Sequence, residues 1–304
     1  MNQKTLTKNK YAIKTNGLGK QYGSFWALKD CSITIPQGSV SALVVPNGAG
    51  KTTLLKLLVS LSNPSSGSAS VLGRSPNQSR QYLSEIGYLA QEIPLYNQMS
   101  AEKHLAMGAH LDMHWDNELA KKRLNELSIP LDRPVGKLSG GQKAQVALAL
   151  ALAKKPKLLL LDEPVAALDP LARIDFLTSL AQAVTDAEGE LTVVMSSHLL
   201  ADLERVCDNL IILASGKTQL CSDIDLVLET HKLLTGPRSE NIKDQAYTVI
   251  KETHSLNETN LLVRLNNTKF HSSKWQVHDT NIEDIVLAYM GQDKQRVAEK
   301  GEVK

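Results

Sequence analysis

The stretch that decides the fold reads Val44-Val45-Pro46-Asn47-Gly48-Ala49-Gly50-Lys51-Thr52-Thr53. It follows an apolar run at residues 40–45 and leads into a leucine-rich segment, which predicts a strand, a glycine-bearing loop and the start of a helix. A helix N-terminus presents unpaired N–H groups, and glycines let the backbone curl around an anion. The loop therefore suits a phosphate chain, with Lys51 facing the β- and γ-phosphates and the Thr52 hydroxyl facing Mg²⁺.

One position departs from the phosphate-loop pattern G-x-x-x-x-G-K-[ST]. The pattern has glycine where this chain has Val45. A β-branched residue resists a positive φ and a close backbone approach. Two interpretations stay open: Val45 mildly perturbs nucleotide affinity or turnover, or the position still belongs to the strand and tolerates valine.

Composition excludes several classes of function. The 304 residues suffice for one large domain or two smaller ones, and the net charge of +2 is too small to favour nucleic acid as a partner. The three cysteines are far apart and form no C-x-x-C pair, so we expect reduced, mostly buried thiols. No apolar run approaches the ~18–20 residues of a membrane-spanning helix. Any membrane role is therefore expected to come through a partner.

The order of apolar and polar segments predicts a parallel sheet with helices on both faces, because strands and helices alternate. Residues 92–153 are rich in alanine, leucine and lysine and are predicted to form a helical insertion. The predicted strands are 11–15, 31–35, 40–45, 69–72, 86–89, 157–161, 191–195 and 209–213. The predicted helices are 51–61, 101–110, 116–127, 142–153, 171–187 and 199–207.

The pattern changes after about residue 225. Residues 231–244 are polar and are predicted to form a loop, followed by short strands at 246–250, 261–265 and 275–277. An amphipathic helix is predicted at 280–290, with a capping box from Thr280 to Glu283 and an end at Gly291. Residues 226–291 are thus expected to form a small α/β appendage. Residues 1–10, which lack an apolar signal region, and 292–304 are expected to be flexible tails.

Two carboxylates follow the apolar run Leu158-Leu159-Leu160-Leu161. Ligands of parallel sheets bind at the carboxyl ends of the strands, which is where Asp162 and Glu163 fall. Asp162 is suited to hold Mg²⁺, and Glu163 to act as general base on an attacking water. Two solvated acids after a core strand would give the same sequence.

A second glycine turn, Leu138-Ser139-Gly140-Gly141-Gln142, precedes a predicted helix. Ser139 is expected to cap that helix, and the glycine N–H groups could hold an anion. An ordinary helix cap with a glycine turn explains the same residues.

Three further positions lie after predicted strands or at helix starts. Gln91 could reach Mg²⁺ or the lytic water, and His198 could donate a hydrogen bond to a γ-phosphate. Asp169-Pro170 is typical of a turn with a proline-started helix. Taken alone, each of the three is better explained as a purely structural residue.

Taken together and in this order, the motifs resemble the ATP-binding-cassette (ABC) ATPase family over about residues 11–221. The resemblance implies an α/β fold of the P-loop NTPase (RecA-like) type. In it, a parallel core sheet is combined with an antiparallel β subdomain and a helical subdomain at about 92–153, and the small C-terminal appendage is added to that core. The ABC ATPase domain is expected to span 11–225.

The resemblance also implies a role for each motif. Glu163 is the catalytic base and His198 the switch histidine, while Gln91 couples the site to a membrane partner and can reach the metal. Asp162, Thr52 and Gln91 are the expected Mg²⁺ contacts. ATP is expected to bind Tyr22 through its adenine, together with Asn47, Gly48, Ala49, Gly50, Lys51, Thr52 and Thr53. Across a second subunit, the expected ATP contacts are Ser139, Gly140, Gly141 and Gln142, with Asp169 in the loop between the two sites.

This family places phosphate loop and Ser139 motif on different subdomains, so a complete site needs two chains. A second copy, or a homologous subunit, is therefore expected as a head-to-tail dimer that closes on ATP. Residues 92–96, 99–105 and 283–290 resemble the exporter-type subfamily for antibiotic peptides, drugs or polysaccharides. We expect an ATPase subunit bound to integral membrane permease subunits at the cytoplasmic face of the membrane, with the substrate open. The alternatives are a non-transport ABC ATPase acting on ribosomes or DNA and a regulatory ATP-binding protein with low turnover.

Overall fold

The computed structural model describes residues 10–46, 48–112, 114–198, 204–238, 246–256, 258–266 and 275–301. The strands are β1 (Tyr11–Tyr22), β2 (Phe25–Cys31), β3 (Thr34–Pro36), β4 (Val40–Val44), β5 (Ser66–Val71), β6 (Ile86–Leu89), β7 (Leu158–Asp162), β8 (Thr192–Ser196), β9 (Asn209–Ala214), β10 (Lys217–Asp223), β11 (His231–Pro237), β12 (Tyr247–His254), β13 (Glu258–Leu265) and β14 (Gln276–Asp279). The helices are α1 (Lys51–Leu58), α2 (Arg80–Ser84), α3 (Ala101–Leu111), α4 (Asn117–Glu126), α5 (Gly140–Ala153), α6 (Pro170–Asp186), α7 (Ile224–Thr230) and α8 (Ile282–Gly301). A 3₁₀ helix spans Val135–Lys137.

The central sheet positions the candidate site. Its strand order is β10-β9-β4-β8-β7-β6, and only the edge strand β10 pairs antiparallel. Every residue of β4, β7 and β8 is buried, as expected for parallel strands covered on both faces. Because β8 lies between β4 and β7, the loop after β4 and the acids after β7 share one edge of the sheet. The predicted parallel core is confirmed.

A second sheet is antiparallel and is organised by β1, which pairs with β2, β3 and β5. Its apolar residues, including Ile13, Leu28 and Val71, share one buried cluster with Leu43 of the central sheet and Leu54 of α1. The sheet therefore packs over α1 and fixes the start of that helix. The strand predicted at 31–35 is wrong as a single element, because Ser32 and Ile33 separate β2 from β3.

The helices predicted within 92–153 are present. Serine or aspartate caps each of them: Ser100 accepts from Lys103 N, Asp116 from Leu119 N and Ser139 from Gln142 N. Their inward faces form a separate small core that contains Leu105, Leu124 and Val146.

The C-terminal sheet has the strand order β12-β13-β11-β14, entirely antiparallel, with α8 packed on one face. Ile282, Ile285, Val286 and Tyr289 of α8 are buried, and their cluster is continuous with that of the central sheet. The loop predicted at 231–244 is wrong for residues 231–237, which form the interior strand β11. Its polar composition hides three buried residues, His231, Leu234 and Gly236.

Other C-terminal and helical expectations need correction. The capping box Thr280–Glu283 is wrong, because Asn281 Oδ1 accepts from Asp284 N at 2.8 Å instead. Helix α8 runs past Gly291 to Gly301, since Gly291 does not adopt the positive φ with which glycine ends a helix. The helix predicted at 199–207 falls mostly on 199–203, outside the described residues.

Two expectations from composition can be compared with the structure. The three cysteines are free, with Cys31 and Cys207 buried and Cys221 half-buried, as predicted. Burial raises the pKa of the Cys31 thiol to about 11 and that of Cys207 to about 12. In the part of the chain that the structure describes, none of the helices has the length and hydropathy needed to cross a membrane.

Candidate nucleotide site

The phosphate loop turns on two glycines with positive φ, Gly48 at 78° and Gly50 at 102°. A Cβ on Gly50 would lie 2.4 Å from the carbonyl oxygen of Ala27, so β2 approaches the loop too closely for any side chain. Gly50 occupies the N-cap position of α1, and because glycine has no side chain, α1 has no side-chain cap among the described residues. The first N–H groups of α1 are thus free to bind an anion. Ala49 lies in this turn and Thr52 and Thr53 lie in the first turn of α1, whereas Asn47 lies outside the described residues.

Val45 directly follows strand β4 and precedes the glycine turn. Its side chain is 1% exposed and packs in the cluster that contains Leu43 and Leu54. Its φ is not in the positive range, so valine adopts this backbone without the strain that a positive φ would impose. What faces the site is the carbonyl oxygen of Val45, which accepts a hydrogen bond from Lys51 Nζ at 3.2 Å.

Lys51 and Glu163 are in contact. The ammonium of Lys51 forms an ion pair with Glu163 Oε1, and both side chains are largely buried. The other carboxylate oxygen, Glu163 Oε2, lies 3.4 Å from Nδ1 of His198. The structure therefore joins the predicted phosphate-binding lysine, general base and switch histidine in one row.

Asp162 is 1% exposed and is held by one hydroxyl. Ser196 Oγ donates to Asp162 Oδ1 at 3.0 Å and accepts from the Glu163 backbone N–H at 2.9 Å. This pairing follows from the register of β7 and β8, in which Asp162 lies beside Ser196. Glu163 has a φ of 48°, and the Ser196 hydroxyl holds it in that strained conformation. Sequence reasoning missed Ser196, because a serine in an apolar strand carries no signal of its own.

The second oxygen of Asp162, Oδ2, is buried and has no hydrogen-bond partner among the described residues. A buried carboxylate oxygen in that state is costly unless a cation or water meets it. Mg²⁺ prefers one or two carboxylates, with phosphate, hydroxyl and water oxygens completing its shell. The unpaired oxygen of Asp162 and the hydroxyl of Thr52 therefore fit this metal. The described parts of the chain contain no cluster of three His, Cys, Asp or Glu side chains that could form another metal site.

Gln91 and Tyr22 lie at exposed positions. Gln91 begins the turn after β6, which neighbours β7 in the register Leu89 to Leu161. Tyr22 ends β1, with its ring 50% exposed and Lys20 Nζ 5.2 Å from the ring centroid. Neither side chain contacts Lys51 or Glu163 through a hydrogen bond within the described ranges.

The Ser139 motif forms a capping box at the start of α5. Ser139 Oγ accepts from Gln142 N at 3.2 Å, and Gln142 Oε1 accepts from Ser139 N at 3.1 Å. Gly141 lies against α6, since a Cβ there would meet Ala172 Cβ at 2.7 Å. Gly140 stays exposed at the first turn of α5. Over the described residues, no hydrogen bond or ion pair joins this motif to the phosphate loop of the same chain.

Asp169 caps α6 next to this motif. Its Oδ1 accepts from the backbone N–H groups of Leu171 and Ala172, at 3.1 and 3.0 Å. The predicted turn with a proline-started helix is confirmed.

Comparisons with known proteins agree with these features. A family model described as ABC transporter matches residues 28–166. The chain is 37% identical over 213 residues to the sulfate/thiosulfate import ATP-binding protein CysA of Synechococcus elongatus, a match that covers 68% of this chain and 61% of that protein. It is 34% identical over 216 residues to the lantibiotic transport ATP-binding protein SrtF of Streptococcus pyogenes, covering 70% of this chain and 91% of that protein.

A solved structure of an ABC transporter component is also similar to this chain. The structure of cbiO1 from Clostridium perfringens, described as part of the ABC transporter complex cbiONQ, matches with a TM-score of 0.62 at 28% identity. The match covers 71% of this chain and 89% of that chain. The match to SrtF exceeds 30% identity over nine-tenths of that protein, and the motifs lie on the matching fold. This chain therefore belongs to the ABC transporter family of ATP-binding proteins, and its cassette is an ATPase.

Proposed function

We propose that this chain is the ATP-hydrolysing subunit that powers an ABC transporter with separate membrane subunits, and that the transporter is an exporter. The cassette is assigned to residues 11–225 and the α/β appendage to 226–291. The observation that carries the proposal is the row Lys51, Glu163 and His198 beside the buried, half-satisfied Asp162.

The charges of Lys51, Glu163 and His198 explain how the site would hydrolyse ATP. The first turn of α1 and Lys51 bind the β- and γ-phosphates of ATP, which draws the ammonium away from Glu163. The carboxylate of Glu163 is then free to accept a proton from the attacking water. His198, 3.4 Å from the same carboxylate, is placed to donate a hydrogen bond to the γ-phosphate. Thr52 and Asp162, with Gln91, would hold Mg²⁺, which neutralises charge on the phosphate oxygens when bound.

A second copy of the chain completes the site. The capping box at Ser139 presents the N–H groups of Gly140 and Gly141, and among the described residues they form no hydrogen bond with the phosphate loop of their own chain. A head-to-tail dimer would place them on the γ-phosphate bound to the partner. ATP would therefore favour the closed dimer, and hydrolysis would release it.

A groove next to Gln91 fits a membrane subunit. This coupling groove, about 820 Å³ in volume, is mainly apolar and lies between α2, β6, α3 and α5. Leu83, Met107 and Leu111 are exposed along it. We assign it to an apolar helical segment of a permease subunit, because the groove begins at the loop that follows Gln91 and so links an outside partner to the site. This attachment would place the chain at the cytoplasmic face of the membrane.

Outward transport is the finer part of the proposal. The relatives include both an import and a lantibiotic transport protein, so the direction rests on other features. The segments at 92–96 and 99–105 and the helical residues 283–290 resemble the exporter-type subfamily. The substrate stays open.

Purification from native membranes tests the proposal. We expect an integral membrane protein to copurify with the tagged chain. We also expect ATPase activity that Glu163→Gln abolishes. Copurification with ribosomes or DNA in place of a membrane protein would instead support the non-transport alternative. Equal, negligible turnover of wild type and Glu163→Gln would favour the regulatory ATP-binding protein.

A further inference from the structure

We propose that His104 is a positioning residue that holds the loop 91–99 between the ATP site and the Ser139 motif. The proposal rests on the roles assigned above to Gln91 and Ser139, and its test separates the two. His104 lies in α3, and no hydrogen bond or ion pair joins it to the phosphate loop among the described residues.

Both ring nitrogens of His104 are used by backbone groups. The side chain is 2% exposed, Nδ1 lies 2.8 Å from the carbonyl oxygen of Ser100, and Nε2 lies 3.0 Å from the backbone nitrogen of Tyr96. An N–H can only donate, so Nε2 accepts from Tyr96 and Nδ1 donates to Ser100. The tyrosine ring also stacks on the imidazole, with centroids 6.0 Å apart and planes at 24°. His104 therefore ties the loop to α3 in a single orientation.

The loop needs such a tie because its backbone is strained. Ile93 has a φ of 43°, a conformation in which a β-branched residue is a true outlier. Strain of this kind persists only where surrounding contacts enforce it. Ile93 and Leu95 pack on the central core, and the next fixed point along the chain is the hydrogen bond from Tyr96 to His104.

The far end of the loop is bonded to the segment that leads into the Ser139 motif. Asn97 O accepts from Gly136 N at 3.0 Å, and Met99 O accepts from Val135 N at 2.9 Å. A Cβ on Gly136 would lie 2.9 Å from Asn97 O, so the two backbones approach as closely as glycine allows. A displacement at Gln91 thus reaches Ser139 through backbone contacts, provided that His104 keeps Tyr96 in place.

Two substitutions separate the hydrogen bonds of His104. His104→Gln keeps an acceptor near the position of Nε2 and so preserves the bond from Tyr96 N–H. His104→Asn keeps only a donor near Nδ1, toward Ser100 O. His110 supplies the matched control, because its Nδ1 makes the same contact to a carbonyl four residues earlier, 2.7 Å from Ala106 O, but its side chain is exposed.

Three measurements are made on the purified full-length chain: kcat and KM for ATP, and hydrogen exchange of the Tyr96 amide. We expect His104→Asn to lower kcat about threefold to tenfold, the range set by one lost hydrogen bond, with KM within about twofold of wild type. Exchange at Tyr96 should quicken in the same variant. His104→Gln and His110→Asn should resemble wild type in all three.

Gly136→Ala tests the other end of the loop and leaves His104 intact. It should lower kcat in the same way, because the new Cβ presses on Asn97 O. Unchanged kcat in both His104→Asn and Gly136→Ala overturns the proposal, as does a His104→Gln variant no better than His104→Asn. Gln91→Ala distinguishes the two proposals: if it turns over normally while His104→Asn does not, the role of Gln91 is wrong and that of His104 stands.

Discussion

Lys51 and Glu163 neutralise one another in a buried ion pair. The proposed phosphate-binding cation and the proposed catalytic base are thus each other's partner, and a bound phosphate would compete with Glu163 for Lys51. Buried charges are stable only when paired, so the pair explains how both residues tolerate burial.

Glu163→Gln is expected to abolish turnover while strengthening nucleotide binding. The amide cannot accept the proton of the attacking water, so kcat should fall about 100-fold or more. In this variant the Lys51 ammonium no longer pairs with a carboxylate, so it interacts more strongly with the phosphates of ATP. The Kd of a fluorescent ATP analogue, measured without Mg²⁺, should therefore fall. Glu85→Gln, which removes a carboxylate remote from the site, is the control and should change neither quantity; residual activity near wild type in Glu163→Gln would refute the role of this residue.

Val45→Gly is expected to destabilise the fold without improving the site. The valine side chain fills the core beside Leu43, so its loss should cost about 2–3 kcal/mol in the free energy of unfolding. ATP affinity and turnover should stay close to wild type, because the Val45 carbonyl still accepts from Lys51. Urea denaturation and steady-state kinetics check this, with Val45→Ala to separate the lost packing from glycine flexibility. A clear gain in ATP affinity would restore the interpretation that valine impairs the loop.

Ser196→Ala is expected to damage the site although serine takes no part in the chemistry. The change leaves both oxygens of Asp162 unpaired and frees the Glu163 backbone, so we expect a loss of about 1–3 kcal/mol in stability and at least a tenfold fall in kcat. Ser41→Ala on the neighbouring β4 is the control, since the Ser41 hydroxyl is buried without a partner in the described residues. Equal effects of the two variants would mean that Ser196 matters only for packing.

The stability of the chain is expected to fall in mild acid because of His231. Burial lowers the pKa of this imidazole below its usual 6.5, nearby Arg264 acts in the same direction, and the bond to Val227 opposes them. Above pH 6.5 the group is neutral in the folded and unfolded chains alike. Below it the unfolded chain binds a proton that the folded chain resists, so the free energy of unfolding drops as pH falls, by at most about 1.4 kcal/mol per pH unit.

Denaturant titrations between pH 7.5 and 5.5 measure this slope. His231 Nε2 also lies 3.0 Å from the hydroxyl of Tyr289, so the same contact fixes α8 to β11. His231→Gln should flatten the slope, whereas substitution of the exposed His278 should leave it unchanged. An identical slope in wild type and His231→Gln would contradict the assignment.

Local signals predicted much of this molecule. Glycine turns, helix caps and wholly apolar strands depend on neighbours in sequence, which is why the phosphate loop, the helix cap at Ser139 and strand β7 lie where predicted. The features that were missed depend on distant partners. Strand β11 is polar in sequence and becomes a strand only between β13 and β14, and Ser196 acquires its role from the register of β8 against β7.

The roles of His104 and Gly136 could not be read from local pattern either. Each acts on the loop 91–99, and the positive φ of Ile93 runs against the preference of its own side chain. Such conformations are set by tertiary contacts, so a pattern of residue types does not predict them.

The place of β8 in the central sheet also fixes a dimension. Neighbouring strands lie about 4.8 Å apart, so one interposed strand separates the end of β4 from the end of β7 by roughly 10 Å. That opening is wide enough for a phosphoryl group, its metal and a water in line, and a lysine side chain can still cross it. If β4 and β7 were direct neighbours, the loop after β4 and the acids after β7 would lie too close together to admit the phosphoryl group and the water.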